Sequence, residues 1–213
     1  MITIYVFRKQ KMKLISIHIN KTAGTSFEKI LRNNYNKVFR INTHTGDEKH
    51  RGLSCHTEDL LNNIPKDTEV LHGHFKAMDI LDLDPNPVVT WLRNPTHRVI
   101  SNYFYSCGDK QISIEEYISN PENQNKMYKM LEGIKLKSFF FIGIKEHFTK
   151  DILELANTLG WKNIDIPVLN KTDYPEVGYR IRNLITELNH KDWKLYNKAL
   201  KLRYDRRAKL KLV

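Results

Sequence analysis

A short polar loop with one lysine is the first stretch whose residue types could do chemistry. Residues 18–27 read His-Ile-Asn-Lys-Thr-Ala-Gly-Thr-Ser-Phe, after an alternating apolar run and before a helical apolar spacing. The loop therefore leads from a strand into a helix start, where unpaired backbone amides and the helix dipole bind anions. Thr25 and Glu28 have the spacing of a capping box. The residues expected to contact the anion are Lys21, Thr22, Ala23, Gly24, Thr25 and Ser26.

The order of residues in this loop separates two kinds of phosphate site. A nucleoside triphosphate P-loop places glycines before its lysine, whereas here Lys21 and Thr22 precede Gly24. The loop resembles the 5′-phosphosulfate loop of sulfotransferases that use 3′-phosphoadenosine-5′-phosphosulfate (PAPS). It is most similar to the carbohydrate type, written His-Ile-Pro-Lys-Thr-x-Gly-Thr-Ser. Asn20 stands where that family usually has proline, which alters the stiffness of the loop and keeps its anion-binding residues.

A second motif begins at the end of a predicted buried strand, residues 87–93. Asn94 and Pro95 are typical of a helix start, and a guanidinium and a hydroxyl can together bind a phosphate. The stretch resembles the 3′-phosphate motif of the same family, Arg-[Asp/Asn]-Pro-x-x-Arg-x-x-Ser-x-Tyr. The resemblance implies that Arg93 and Ser101 bind the 3′-phosphate of the nucleotide. The remaining arginine of the motif, Arg98, is expected to brace the helix against acidic neighbours.

The sequence His72-Gly73-His74 lies between these two motifs. Two histidines without a third ligand do not complete a zinc site, so no metal is expected, and purely structural hydrogen bonds are one alternative. A histidine can also accept a proton from a hydroxyl near neutral pH. Glycosaminoglycan 2-O-sulfotransferases, such as those acting on heparan sulfate, carry a similar His-Gly-His here. This resemblance implies His74 as general base, with His72 as the second candidate.

The resemblance extends more weakly towards the C-terminus. Family members commonly have a Gly-[Leu/Ile]-x-Glu turn and then an asparagine-containing loop that closes over the cofactor. Similar stretches begin here at Gly143 and at Leu169. By this resemblance Lys171 and Thr172 reach the nucleotide, and the similarity as a whole covers residues 13–205.

Composition limits the class of protein. The chain has 213 residues, 40% of them hydrophobic, which is enough for one packed domain. Its net charge of +11 favours anionic partners, which include nucleic acids, anionic membranes, nucleotides and acidic glycans. Cys55 and Cys107 form no metal or redox motif, so we expect free thiols in a reducing compartment, with a single disulfide as the alternative. No apolar run could span a membrane and no signal peptide is evident, which predicts a cytoplasmic protein.

Strand and helix patterns alternate along the chain. This alternation predicts an α/β fold, a P-loop-NTPase-like three-layer structure with a central parallel sheet flanked by helices. We expect residues 1–213 to form a single sulfotransferase domain, in which residues 1–12 add an edge strand or a flexible extension. Ligands of such folds bind beyond the carboxyl ends of the strands. The loops after Ile19, His72 and Arg93 are therefore expected to share one site.

These observations predict a PAPS-dependent sulfotransferase. The expected reaction moves a sulfuryl group to a hydroxyl of a saccharide or glycolipid acceptor, by in-line displacement with a histidine base. Two alternatives are a nucleotide kinase or NTPase on a related fold, opposed by the loop order, and a basic nucleic-acid-binding protein, opposed by the scattered basic residues. The dense basic charge of the last helix, residues 191–212, suggests either peripheral contact with anionic lipid or glycan, or a solvated face.

Overall fold

The computed structural model describes residues 12–42, 64–83, 86–107, 112–166 and 174–211. Five parallel strands form one sheet in the order β2-β3-β1-β4-β5. The strands are β1 (Leu14–Ile17), β2 (Val38–Asn42), β3 (Val70–His74), β4 (Val88–Leu92) and β5 (Phe141–Ile144). The predicted α/β class with a parallel sheet is confirmed.

Helices cover both faces of this sheet. They are α1 (Gly24–Asn34), α2 (Pro95–Cys107), α3 (Ile114–Ser119), α4 (Lys126–Leu131), α5 (Phe148–Leu159), α6 (Tyr179–Leu188) and α7 (His190–Lys209). Short 3-10 turns occur at Ala77–Leu83, Pro121–Asn123, Leu136–Ser138 and Lys145–His147. Among the described residues, no helix is long and apolar enough to cross a membrane.

Alternation of side chains along the buried strands divides the core into two layers. Leu14 and Phe141 face one side, where they pack with Phe27 of α1 and Ile152 of α5. The neighbouring residues of the same strands face the other side, where the core includes side chains of α4 and α7. A smaller cluster joins α2, α3 and α6. The sheet is thus buried on both faces, as its near-continuous apolar strands predict.

The direction of the chain reverses at the middle of the sheet. β1 is followed by β2 and β3 on one side, and β4 is followed by β5 on the other. The loops that leave β1 and β4 therefore border a crevice at the carboxyl edge, which is where ligands bind in open α/β sheets.

Several expectations fall outside the described residues. These are the N-terminal strand or extension, the state of Cys55, and the nucleotide contacts of Lys171 and Thr172. Cys107 is a buried free thiol. The predicted last helix is present as α7, although it ends at Lys209 rather than Leu212.

Candidate active site

The loop after β1 contains two residues in a backbone conformation that favours glycine. Lys21 has a φ of 67° and Ala23 a φ of 82°, a region that costs other residues on the order of 1 kcal/mol each. The buried Thr22 hydroxyl steadies this turn by donating a hydrogen bond to the Ile19 carbonyl at 2.7 Å. The loop is thus held in a specific shape directly before α1.

The N-terminus of α1 has no side-chain cap. Ala23 is the N-cap residue, and alanine has no oxygen that could accept hydrogen bonds from the amides of the first turn. The predicted capping box is wrong, because the left-handed residue starts the helix upstream of Thr25. Glu28 instead pairs with Arg32 at 2.8 Å and Arg40 at 3.0 Å. The amides of the first turn therefore remain suited to an anion.

Gly24 has a packing role as well as a place in the loop. A Cβ atom at this position would lie 1.8 Å from Nε2 of His18, far closer than non-bonded atoms approach. Only glycine lets the start of α1 lie against the imidazole ring. The same small residue therefore connects the anion loop to the histidines described below.

Arg93 joins the loop after β4 to the loop after β1. Its Nη1 donates a hydrogen bond to the Lys21 carbonyl at 3.1 Å, across the point where the chain reverses. Burial lowers the pKa of both the Lys21 ammonium and the Arg93 guanidinium, because each has lost part of its hydration. An anion bound between the two groups would restore that lost stabilisation.

The start of α2 fixes the direction in which Arg93 leaves the sheet. Asn94 Oδ1 accepts a hydrogen bond from the His97 amide at 3.1 Å, which confirms the predicted N-cap. The backbone N–H of Asn94 donates a hydrogen bond to Glu146 Oε1 at 2.9 Å. Arg98 is fully buried, with Nε 3.8 Å from Asp192 Oδ2. It braces α2 against α7, as the sequence predicted.

Ser101 lies on α2 near an aromatic pair. Its buried Oγ is 3.1 Å from the hydroxyl oxygen of Tyr174, and the Tyr174 ring stacks on Phe104 with centroids 4.9 Å apart. The flat stack offers an apolar surface of the kind that a purine could contact. Lys171 and Thr172, predicted to bind the nucleotide, lie outside the described residues, but the chain that follows them reaches the site at Tyr174.

Three histidines stack at the ends of β1 and β3. The ring centroid of His18 lies 4.2 Å from that of His74 and 5.2 Å from that of His72. His74 Nδ1 is 2.7 Å from the His18 carbonyl oxygen. Because a carbonyl can only accept, Nδ1 of His74 carries a proton, and Nε2 is the basic nitrogen of the neutral ring.

The two predicted bases differ in access. His74 is partly exposed, whereas His72 is fully buried and its Nδ1 lies 2.9 Å from Ser16 Oγ. Of the two, the geometry favours His74 for contact with an acceptor. Within the described part of the chain, no group of three or more candidate ligands is placed to hold a metal ion.

The other two rings of the stack are kept neutral. Burial lowers the pKa of His72 to about 3, and burial together with His74 and His72 lowers the pKa of His18 to about 2. In an unfolded chain both rings would take up protons as the pH falls below about 6.5. The unfolded state then binds more protons than the folded state, so the free energy of unfolding falls as the pH drops from 6.5 towards 3.

This linkage predicts acid sensitivity that depends on the buried ring. Between pH 6.5 and 5.5, we expect His72 to contribute a loss of about 1 kcal/mol in the free energy of unfolding. His72→Asn, which keeps a polar partner for Ser16, should flatten the pH dependence measured by urea unfolding. His190→Asn, at an exposed histidine, should leave it unchanged. An identical slope in wild type and His72→Asn would contradict the account.

Comparison with known proteins places this chain in a family. The model of the sulfotransferase family matches residues 5–161. The chain belongs to this family. The match covers the loop after β1, the His-Gly-His sequence and the motif at Arg93. A comparison with curated protein sequences found no match.

Solved structures of sulfotransferases are similar to this chain. A sulfotransferase from Alicyclobacillus acidocaldarius has 15% sequence identity and a TM-score of 0.50, and the alignment covers 85% of this chain and 92% of that one. Mouse sulfotransferase SULT7A1, solved as a complex with PAP, has 11% identity and a TM-score of 0.47. That alignment covers 84% of this chain and 63% of the mouse chain. The sulfotransferase from A. acidocaldarius supports the predicted P-loop-like architecture.

Three residues of the candidate site in this chain were not predicted from the sequence. Lys145 directly follows β5, whose last residue pairs with Leu92, so Lys145 and Arg93 leave neighbouring strands side by side. Tyr105 lies under the Lys21 ammonium, which is 3.9 Å from its ring centroid. Tyr174 contacts Ser101, as described above. Lys145 could have been found from its position alone, as the first residue after a buried strand, whereas the two tyrosines are recognisable only once the helices are packed.

Proposed function

We propose that this protein transfers a sulfuryl group from PAPS to a hydroxyl of an acceptor. The observation that carries the proposal is the hydrogen bond between Arg93 and the Lys21 carbonyl, which brings the two anion-binding motifs to one edge of the sheet. Family membership makes sulfuryl transfer, rather than ATP turnover or nucleic-acid binding, the activity to test.

The chain's own groups fit a donor with two anionic ends. The first-turn amides of α1 and Lys21 would hold the 5′-phosphosulfate, because the alanine N-cap leaves those amides for an external acceptor. Arg93 and Ser101 would hold the 3′-phosphate, and the stacked pair of Phe104 and Tyr174 would contact the base. The donor supplies an activated sulfuryl group, and its transfer breaks the sulfur–oxygen bond to the nucleotide and releases 3′-phosphoadenosine-5′-phosphate (PAP).

His74 is assigned as the general base. Its Nδ1 proton is held by the His18 carbonyl, so Nε2 can accept the proton of an acceptor hydroxyl as that oxygen attacks sulfur. Lys21 stabilises the negative charge that grows on the oxygen of the leaving nucleotide. Neutral rings at His18 and His72 add no positive charge next to the base.

We propose a saccharide or glycolipid as the acceptor, of the kind modified by 2-O-sulfotransferases. The support is the His-Gly-His sequence, together with the exposure of His74 beside the anion loop. Gly73, with a φ of 155° and a Cβ position 1.9 Å from the Ile41 carbonyl oxygen, allows β3 to pack closely at this point. The free Cys107 thiol agrees with the reducing cytoplasm in which we place the enzyme.

The activity can be tested by measuring release of PAP from PAPS. We would supply hydroxyl acceptors of four classes, namely simple glycosides, glycolipids, phenols and tyrosine peptides. Acceptor-dependent PAP release, highest with the sugar-bearing compounds, is the predicted result. Release with phenols alone would overturn the saccharide assignment. Turnover of ATP with Mg²⁺ and none of PAPS would overturn the sulfotransferase assignment itself.

Lys145 provides a further prediction about donor binding. It is partly buried, and its pKa is lowered by burial and by the neighbouring Arg93 and Lys21, so a bound anion at this edge would stabilise it. We expect Lys145→Ala to weaken PAP binding about 10-fold, the value of one hydrogen bond to a charged group. Calorimetric titration would measure this, with the exposed Lys150→Ala as the matched control. Unchanged affinity in Lys145→Ala would exclude Lys145 from the site.

A further inference from the structure

A groove lined by lysines lies apart from the candidate active site. It has a volume of about 770 Å³ and lies between α7 and the segment that joins α4 to β5. That segment enters β5 at its amino end, opposite the carboxyl edge that holds the anion loops. None of the residues that line the groove belongs to the candidate site. Its lysines, all exposed, are Lys135, Lys137, Lys191, Lys194, Lys198 and Lys201.

The two faces of α7 differ in how their positive charges are compensated. On the face towards α5, Arg203 pairs with Asp151 at 2.7 Å, and Arg206 and Arg207 both pair with Glu154. On the groove face, within the described parts of the chain, none of the six lysines has an ion pair within 4 Å. The arginines therefore stabilise the packing of α7 against α5, whereas the positive charge of the lysines is available to an anionic partner.

The groove itself supplies little negative charge. The lining residues include two carboxylates, Glu132 and Asp205. Lys191 lies 5.0 Å from the centroid of the Tyr128 ring. Six lysines thus face two carboxylates, so the groove carries a surplus of positive charge that attracts anions.

The floor of the groove is apolar. It is formed by side chains that also pack on the main core, namely Leu131, Ile134, Leu136, Leu195 and Leu202. Lysines at the rim of such a floor can lay their aliphatic stems along it and keep their ammonium groups in water. An apolar centre with a cationic rim matches the chemistry of an anionic amphiphile.

We propose that this lysine groove docks the protein on an anionic lipid surface. Lysine ammonium groups act as point charges and suit a diffuse array of headgroups, whereas paired recognition of single phosphates favours arginine. Lys191, Lys194, Lys198 and Lys201 recur every three or four residues and so lie along one side of α7. The apolar floor gives acyl segments a place that a fully hydrated polyanion would not use. Docking would hold the enzyme where membrane-anchored acceptors are found.

The test is co-sedimentation with phosphatidylcholine vesicles that do or do not contain phosphatidylglycerol. We expect binding only to the anionic vesicles, weakened by added salt. Lys194→Glu with Lys198→Glu should lower the partition coefficient at least about 10-fold. The control carries the same charge change at two exposed lysines outside the groove, Lys66→Glu with Lys162→Glu, and should bind like wild type.

Three results would overturn the docking proposal. They are no preference for anionic vesicles, an equal loss in the control variant, and binding of dextran sulfate or RNA through the groove without binding of vesicles. PAP affinity is measured in parallel on each variant. It should not change in the groove variant, because the groove and the candidate site share no residue, so failure of docking is distinguishable from failure of the sulfotransferase assignment.

Discussion

Lys21→Ala should lower the turnover number for PAP release by about 10² to 10³. Lys21 lies at the start of the anion loop, its carbonyl is fixed by Arg93 and its ammonium is held 3.9 Å from the Tyr105 ring centroid. It is thus positioned before the donor arrives, which is the condition for strong stabilisation of charge in the transition state. Steady-state assays with PAPS and the best acceptor would measure the effect.

A control for this variant is available on α1, the helix that follows the loop. Lys29 is exposed on α1 and makes only a surface ion pair with Asp165 at 3.5 Å, so Lys29→Ala should retain wild-type turnover and stability. Alanine at position 21 would adopt the same positive φ as the lysine, so the substitution leaves the backbone strain of the loop unchanged. Turnover near the wild-type value in Lys21→Ala, with the fold intact, would remove Lys21 from the catalytic step.

His74→Asn should reduce the turnover number by about 10² to 10⁴ while leaving PAP affinity close to that of wild type. An asparagine amide can still donate a hydrogen bond to the His18 carbonyl, but it cannot take up a proton from the hydroxyl of the sulfuryl acceptor. The loss should therefore appear in turnover and not in donor binding. Parallel assays of PAP release and PAP titration separate the two effects.

His97 provides the matched control for the histidine variant. It is exposed on α2, and His97→Asn should keep most of the activity. If His74→Asn turned over at the wild-type rate, the base would have to be another group. If His74→Asn were fully active and Lys21→Ala were not, the assignment of the donor site would stand and only the assignment of His74 as the base would be wrong.

The architecture could be predicted from the sequence because its determinants are local and repeated. Apolar runs such as residues 87–93 indicate buried strands, and Asn94 followed by Pro95 indicates a helix start, which the structure confirms. A common site for the two loops could be predicted because parallel strands end at the same edge of a sheet, and ligands bind beyond their carboxyl ends. Lys21 and Arg93 were therefore expected at one site, and their hydrogen bond agrees with this expectation.

The features that were missed depend on backbone conformation and on contacts distant in sequence. Nothing in the types of Lys21 and Ala23 indicates a positive φ, yet this conformation shifts the helix start and makes the capping box at Thr25 wrong. The neutrality of His18 follows from burial and from two other rings, one 54 and the other 56 residues away, so it needs the folded structure. The compensated and uncompensated faces of α7 are likewise visible only after α5 has packed against it.

Nucleotide binding by both motifs at once can be measured by calorimetric titration of PAP into wild type and Arg93→Ala, with ATP as the comparison ligand. Two motifs that meet at one sheet edge should bind a nucleotide with both a 5′- and a 3′-phosphate. We expect tight binding of PAP by wild type, weaker binding of ATP, and a loss of about 10-fold or more in PAP affinity in Arg93→Ala. No binding of PAP, or equal affinity for PAP and ATP that ignores the Arg93 substitution, would contradict this expectation.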